Sequence, residues 1–207
     1  MSFKKFIAAQ LRKPSGLFGQ LITVRLLNLA NVPMNRLALE ILQLQPDDHV
    51  LEVGFGGGDL IARMARIVTM GHITGIDFSI DALEACRKRF DTLIKVGTIE
   101  LKCTSVDALP FSANTFTKAC TVNTIYFWPD PVAALGQMHR VLKKNGTLLV
   151  CFSPRAVMEK QEIAQHGFRL FEPEEVKSLL SAAGFRNVQI IFGQGRYGKC
   201  VVAQGTK

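Results

Sequence analysis

Three alternating glycines, Gly54, Gly56 and Gly58, separate two short apolar segments of the chain. Residues 50–53 have the composition of a buried strand, and the apolar residues of 60–64 have helical spacing. The pattern therefore predicts a strand, a turn and a helix in succession. Glycine has no Cβ, so it can adopt positive φ and lets a ligand approach the backbone, while a helix start offers unpaired N–H groups. This segment is predicted to bind a nucleotide-type ligand.

Acidic side chains flank these glycines. Asp59 occupies the position where a dinucleotide-binding G-x-G-x-x-G motif would have its third glycine, and a carboxylate is a poor neighbour for a diphosphate. The run Glu52-x-Gly54-x-Gly56-x-Gly58 instead resembles motif I of the class I S-adenosylmethionine (SAM) methyltransferases. Their ligand carries a cationic sulfonium and an amino-acid tail. The resemblance implies that Glu52 and the three glycines contribute to a SAM site.

A second acid follows at the distance expected of a ribose ligand. Residues 73–77 are predicted to form a strand that ends in Asp77, about 20 residues after the glycines, where a carboxylate can accept both ribose hydroxyls. An NAD enzyme would also have an acid here, so Asp77 alone does not distinguish the two cofactors. Phe55 and Phe78, each next to a predicted ligand residue, are predicted cofactor contacts, with a place in the core as the alternative.

The stretch 105–111 follows a third predicted strand, residues 99–103. It resembles the methyltransferase segment in which an Asp hydrogen-bonds the adenine amino group. The resemblance implies that Asp107, together with the adjacent Ala108, binds adenine. The alternative is that Asp107 only caps a turn before Pro110.

The resemblance extends further along the chain. Residues 119–131 are similar to the fourth strand and substrate-side loop of the same family, and residues 140–150 to the segment that leads into the fifth strand. The family resemblance implies an enzyme that transfers a methyl group from SAM to a small-molecule acceptor by in-line displacement, mainly through positioning. It is strongest with the branch that methylates quinones and phospholipid amines. The alternatives are an NAD(P)-dependent oxidoreductase, or a methyltransferase of a membrane lipid, a quinone or a nucleic acid.

Candidates for the chemical step lie at the predicted carboxyl ends of the strands, where ligands of such sheets bind. Asn123 and Tyr126 are predicted to position substrate, and Asn123 also to contact the cofactor. They share the first and last letters of the Asn-Pro-Pro-Tyr motif of amino-group methylases, but Thr124 and Ile125 replace the prolines. His166 is a candidate base, with an ordinary loop histidine as the alternative. Further aromatic residues near these ends could wall the pocket or belong to the core: Tyr126, Phe127, Trp128 and Phe152.

Length and composition favour one folded unit. With 207 residues, 48% of them hydrophobic, the chain can bury the core of a single α/β domain. The methyltransferase resemblance implies a Rossmann-like, seven-stranded, mostly parallel sheet of order 3-2-1-4-5-7-6, with the last strand antiparallel. We expect an N-terminal helical segment over 1–40 and the methyltransferase domain over 41–207. Five cysteines without a Cys-x-x-Cys pair are predicted to be buried thiols, and no metal site is expected.

The net charge of +8 is concentrated near the N-terminus, where the first 39 residues contain six basic side chains and no acid. Residues 3–11 place apolar side chains on one helical face beside lysines. Three interpretations stay open: a lid over the cofactor cleft, an interfacial helix on an anionic membrane, or a nucleic-acid patch. Without a run of 18 apolar residues or a signal peptide, the expected location is cytoplasmic, with peripheral membrane contact as an alternative.

Overall fold

The computed structural model describes residues 24–161, 164 and 167–207. The predicted basic helix near the N-terminus and the candidate base His166 lie outside these residues. The helices are α1 (Val24–Leu42), α2 (Asp59–Met64), α3 (Ile80–Arg89), α4 (Asp91–Lys95), α5 (Pro131–Val141), α6 (Arg155–Met158) and α7 (Pro173–Ala182). The strands are β1 (His49–Val53), β2 (His72–Asp77), β3 (Ile99–Cys103), β4 (Phe116–Val122), β5 (Leu142–Phe152), β6 (Arg186–Gly195) and β7 (Gly198–Thr206).

The seven strands form one sheet in the order β3-β2-β1-β4-β5-β7-β6, as predicted. The pairings among β1 to β5 are parallel, and β7 runs antiparallel to both β5 and β6. The carboxyl ends of β1, β2 and β4 therefore meet at one edge of the sheet. The glycines follow β1, Asp77 is the last residue of β2, and Asn123 follows β4.

Helices cover both faces of this sheet because successive strand residues point to opposite sides. In β5, Leu148 and Val150 join the core under α5 and α7, whereas Leu149 and Cys151 join the core under α1, α2 and α3. The Rossmann-like three-layer fold expected from the family resemblance is thus confirmed. α1 continues to Leu42 without a break at residue 40, and the division of the chain into 1–40 and 41–207 stays a prediction.

Two details differ from the sequence-based expectation. The apolar spacing after the glycines predicts a helix over 59–69, whereas α2 ends at Met64; the β-branched run Ile67-Val68-Thr69 beyond it has low helix propensity. Cys103 is exposed rather than buried, because it ends β3 at the edge of the sheet; the other four thiols are buried. Within the described residues, no helix combines the length and apolar character needed to cross a membrane.

Replacement of glycine by alanine should have opposite effects on the free energy of unfolding at Gly75 of β2 and at Gly136 of α5. A Cβ at Gly75 would lie 2.7 to 2.9 Å from side-chain atoms of Ile61, Leu101 and Phe55, whereas at Gly136 it would meet nothing within 4 Å. We expect Gly75→Ala to lower the free energy of unfolding by about 1–3 kcal/mol through overpacking. Gly136→Ala should raise it by about 0.5–1 kcal/mol, because alanine favours the helix. Urea unfolding measures both, and equal values for the two variants would contradict the packing described for β2.

Candidate functional site

The three glycines of the turn between β1 and α2 share a backbone conformation but differ in their surroundings. Gly54, Gly56 and Gly58 all have positive φ, at 76°, 50° and 71°. A Cβ at Gly54 would collide with Thr124, and one at Gly58 would lie 2.6 Å from the Phe90 ring. A Cβ at Gly56 would meet no protein atom within 4 Å. Gly54 and Gly58 therefore allow close packing, whereas Gly56 leaves open space beside its backbone.

Neighbouring elements hold this glycine turn in place. The Gly54 N–H donates to the carbonyl of Ile76 at 2.7 Å, and the Gly56 N–H donates to Asp77 Oδ2 at 2.9 Å. From α3, the Cys86 thiol donates to the Gly56 carbonyl at 3.4 Å, and Arg89 donates to the Gly57 carbonyl. The turn is thus held in place by contacts from β2 and α3.

The open space is a cavity of about 300 Å³ at the carboxyl ends of the strands. Its acidic lining residues are Glu52, Asp59, Asp77 and Asp107. No Lys, Arg or His occurs in its lining as far as the structure describes the chain. Its apolar wall includes Phe55, Phe78, Phe127 and Trp128. A cavity with these walls favours a ligand that is cationic and partly apolar.

Glu52 is the least satisfied of the four carboxyls. Its side chain is buried, and Oε2 has no hydrogen-bond partner among the described residues. Burial, together with repulsion from Asp77 and Asp59, raises the pKa of Glu52 from 4.5 to about 8. A cationic group within the cavity would favour the ionised form of this carboxyl.

Asp77 and Asp59 are better satisfied than Glu52. Asp77 accepts hydrogen bonds from the N–H groups of Gly56 and Ser79, each at 2.9 Å, although burial still raises its pKa. Burial also acts to raise the pKa of Asp59, but hydrogen bonds from Arg63 and Asn35 outweigh it, so this pKa is lowered. Asp59 is therefore the carboxyl in this group whose negative charge the protein itself stabilises.

α1 contributes to the cavity two asparagines that the sequence analysis missed. Asn31 and Asn35 both line the cavity. Asn35 Nδ2 donates to Asp59 Oδ2 at 2.9 Å, and Asn31 Oδ1 accepts from Asn123 Nδ2 at 2.7 Å. Their i, i+4 spacing within an apolar helix was the available signal, since it puts two polar side chains on one face.

The predicted substrate-positioning residues occupy different environments. Asn123 lines the cavity with φ of 58°, whereas Tyr126 is buried behind it and outside the lining. The Tyr126 hydroxyl donates to Asn123 Oδ1 at 3.0 Å and accepts from the Ser153 N–H at 2.5 Å. Burial raises the pKa of this phenol. In this arrangement Tyr126 orients Asn123 and does not itself face the cavity.

Some of the remaining predicted site residues line the cavity, and others do not. Asp107 is exposed and lines the cavity, whereas its neighbour Ala108 and the packing residue Gly58 are not in the lining. Of the aromatic candidates, Phe152 is fully buried in the core, like Tyr126. The binding roles assigned to these residues from the sequence stay predictions.

Comparisons with known proteins agree with this arrangement. Residues 50–146 match the model of a methyltransferase domain. The chain is 29% identical over 167 residues to an O-methyltransferase of Pyrenophora dematioidea, covering 75% of this chain and 62% of that protein. It is 27% identical over 150 residues to the ubiquinone/menaquinone biosynthesis C-methyltransferase UbiE of Klebsiella pneumoniae, covering 72% and 60%. The chain thus spans about 60% of the length of both relatives.

The fold has a similar counterpart among solved structures. A SAM-dependent methyltransferase from Aquifex aeolicus superposes with a TM-score of 0.75 at 18% identity, covering 89% of this chain and 96% of that one. At this identity the likeness concerns the fold. The matched domain, the relatives and the sheet order agree: the chain has the fold and the sequence pattern of the class I SAM-dependent methyltransferases.

Proposed function

We propose that this protein transfers a methyl group from SAM to a small-molecule acceptor, with the cavity beside the glycine turn as the cofactor site. The observation that carries the proposal is the lining of that cavity: four carboxyls, no described cationic side chain, and an unpartnered buried oxygen on Glu52. SAM carries a sulfonium and an ammonium, so its charges complement this lining. A diphosphate of an NAD(P) cofactor would be repelled by the same carboxyls.

The chain offers a distinct group for each part of SAM. Glu52 is suited to the cationic amino-acid end, because an ammonium would satisfy its free oxygen. Asp77 is suited to the ribose and Asp107 to the adenine, as the family resemblance implies. Gly56 leaves the backbone accessible because nothing fills the space beside it.

When bound, SAM supplies an electrophilic methyl group on a sulfonium. What the protein adds is alignment and exclusion of water. Correct alignment of reacting groups can lower a barrier by about 7–11 kcal/mol, so an acceptor that is already nucleophilic needs no side-chain base. Asn123 is suited to orienting the acceptor, and Phe127 and Trp128 to excluding water. A role for His166 as base remains part of the proposal.

An apolar ring, as in a quinone, is the acceptor class that the aromatic residues favour. Phe127 contacts Phe168 with ring centroids 4.7 Å apart, and Tyr126 lies 6.0 Å from Phe127. Phe127 is the member of this cluster that lines the cavity, where its ring presents apolar surface. It supports a quinone-like acceptor more than a nucleic acid, whose phosphates the carboxyl-lined cavity would repel.

We further propose that the N-terminal segment, residues 1–40, covers the cavity and that its part before Pro33 acts as a lid, since α1 already contributes Asn31 and Asn35 to the cavity wall. Contact with an anionic membrane through the basic segment is the alternative. The two ideas predict different effects of removing the first residues of the chain.

Gly56→Val tests the cofactor site against a matched control, Gly97→Val. Both glycines have positive φ, at 50° and 79°, and a Cβ at either position meets nothing within 4 Å. Both variants should therefore lose similar stability from backbone strain, about 1–3 kcal/mol. Only Gly56→Val should abolish SAM binding, because its side chain would occupy the space beside the turn. Calorimetric titration with SAM measures this, and normal SAM binding by Gly56→Val would rule out the site.

The variant Glu52→Gln tests whether the buried carboxyl of Glu52 makes the stability of the folded protein depend on pH. The folded protein holds the Glu52 proton up to about pH 8, whereas the unfolded chain loses it near 4.5. The stabilisation from this proton is therefore complete below pH 4.5 and is lost as pH rises to 8. Glu52→Gln should be more stable than wild type at pH 8, by about 1–3 kcal/mol, and the difference should shrink toward pH 5.

Urea unfolding across this pH range measures the effect of Glu52→Gln, and SAM affinity of the same variant should fall because an ammonium partner is lost. Glu84→Gln is the control, since Glu84 is an exposed carboxyl of α3. Equal pH profiles for wild type and Glu52→Gln would show that Glu52 is ionised in the folded protein.

Deletion of residues 1–13 distinguishes the lid from the membrane contact. The deletion removes four basic side chains and no predicted cofactor ligand. A lid predicts slower turnover and faster cofactor exchange with or without vesicles, because closure excludes water. A membrane contact predicts that only the full chain sediments with anionic vesicles, and that this binding weakens as salt rises. Salt-sensitive sedimentation with unchanged turnover of a soluble acceptor would overturn the lid.

A further inference from the structure

α1 contains a proline between the two asparagines that reach the cavity. Pro33 lies inside the helix Val24–Leu42. Proline has no N–H, so the helical hydrogen bond to the carbonyl four residues earlier is missing, and its ring crowds that carbonyl. The backbone of α1 is therefore weakest at Pro33, with Asn31 before this point and Asn35 after it.

The part of α1 after Pro33 is firmly attached to the domain. Met34, Ala38 and Leu42 are buried in the core that covers β1 and β2. The end of the helix is also fixed, because Lys118 Nζ of β4 donates to the Leu42 carbonyl at 2.7 Å. Asn35 adds a third attachment through its hydrogen bond to Asp59. This half of α1 forms a fixed wall of the cavity.

The part of α1 before Pro33 has a different attachment. Leu29 is 60% exposed, and Asn31 joins this part to the domain through its hydrogen bond to Asn123. Asn123 is itself rigid: its N–H donates to the Cys151 carbonyl at 2.9 Å, and its Oδ1 accepts from Tyr126. Both Asn31 and Asn123 line the cavity, so the bond between them crosses part of its rim.

We propose that Asn31 is a positioning residue that controls cofactor retention, because its hydrogen bond to Asn123 latches residues 24–32 of α1 over the cavity. Breaking this bond frees these residues to turn about Pro33 and opens the site for exchange. Asn35 stays with the fixed half in both states. The proposal rests on the proposed function for the identity of the ligand, SAM.

Asn31→Ala is the test, with Arg36→Ala as the matched control, since Arg36 is an exposed residue of the same helix. In the full chain, stopped-flow displacement should give SAM dissociation about fivefold faster for Asn31→Ala, as expected for one lost neutral hydrogen bond. Arg36→Ala should leave the dissociation rate within twofold of wild type. Equal dissociation rates for the two variants would overturn the proposal.

A double mutant distinguishes the latch from a merely structural role of Asn31. Asn123→Gly removes the latch partner while keeping a residue that tolerates the φ of 58°. In this background Asn31→Ala should change SAM dissociation by less than twofold, because there is no bond left to break. A fivefold effect that persists in the Asn123→Gly background would show that Asn31 acts through some other contact.

Amide hydrogen exchange tests the latch without any cofactor. In the ligand-free protein, Asn31→Ala should speed exchange over residues 24–32 relative to Arg36→Ala and leave residues 34–42 unchanged. Unchanged exchange over 24–32 would overturn the latch even if SAM binds normally. If the protein does not bind SAM, the proposed function fails, and this exchange measurement still decides whether the latch exists.

Discussion

The carboxylate of Asp77 is the connection on which the site depends. One oxygen accepts the Gly56 N–H and the other accepts the Ser79 N–H, so a single buried side chain joins the end of β2 to the glycine turn and to the start of α3. The N–H groups of Gly56 and Ser79 lie beyond the ends of the strands, and the carboxylate accepts a hydrogen bond from each. The path of the glycine turn, and so the space beside Gly56, follows from this buried charge.

That arrangement costs the protein electrostatic energy. Asp77 and Asp59 lie near enough to Glu52 to raise its pKa, and burial raises it further. Like charges gathered in a cavity destabilise the folded state until a proton or a cation compensates them. A cationic cofactor gives the same compensation and leaves Glu52 ionised. The same charge distribution that is unfavourable on its own therefore favours the binding of a cation.

The sequence predicted the parts of the site that depend on local patterns. The glycine turn, the acid at the end of β2 and the sheet order all follow from short motifs and from the family resemblance they support. It missed Asn31 and Asn35, because their partners are 92 and 24 residues away and only their i, i+4 spacing in the helix indicated a shared polar face. It also treated Tyr126 as a candidate for the cavity. The side chain turns inward instead, because it pairs with Ser153, 27 residues later.

The pairing of Tyr126 with Ser153 determines more than the position of one ring. A backbone N–H can only donate, so the Ser153 N–H makes the phenol oxygen an acceptor, and the phenol proton faces Asn123 Oδ1 at 3.0 Å and the Ser153 carbonyl at 3.2 Å. At the other side of Asn123, Met34 Sδ lies 3.2 Å from Nδ2, and a thioether sulfur can only accept. The amide of Asn123 is therefore fixed with its oxygen toward Tyr126 and its N–H groups toward α1. Asn31 therefore faces an N–H group of Asn123 and accepts its hydrogen bond through its own side-chain oxygen. In this way Ser153, which directly follows β5, determines how the Asn31 side chain of α1 contacts the cavity wall.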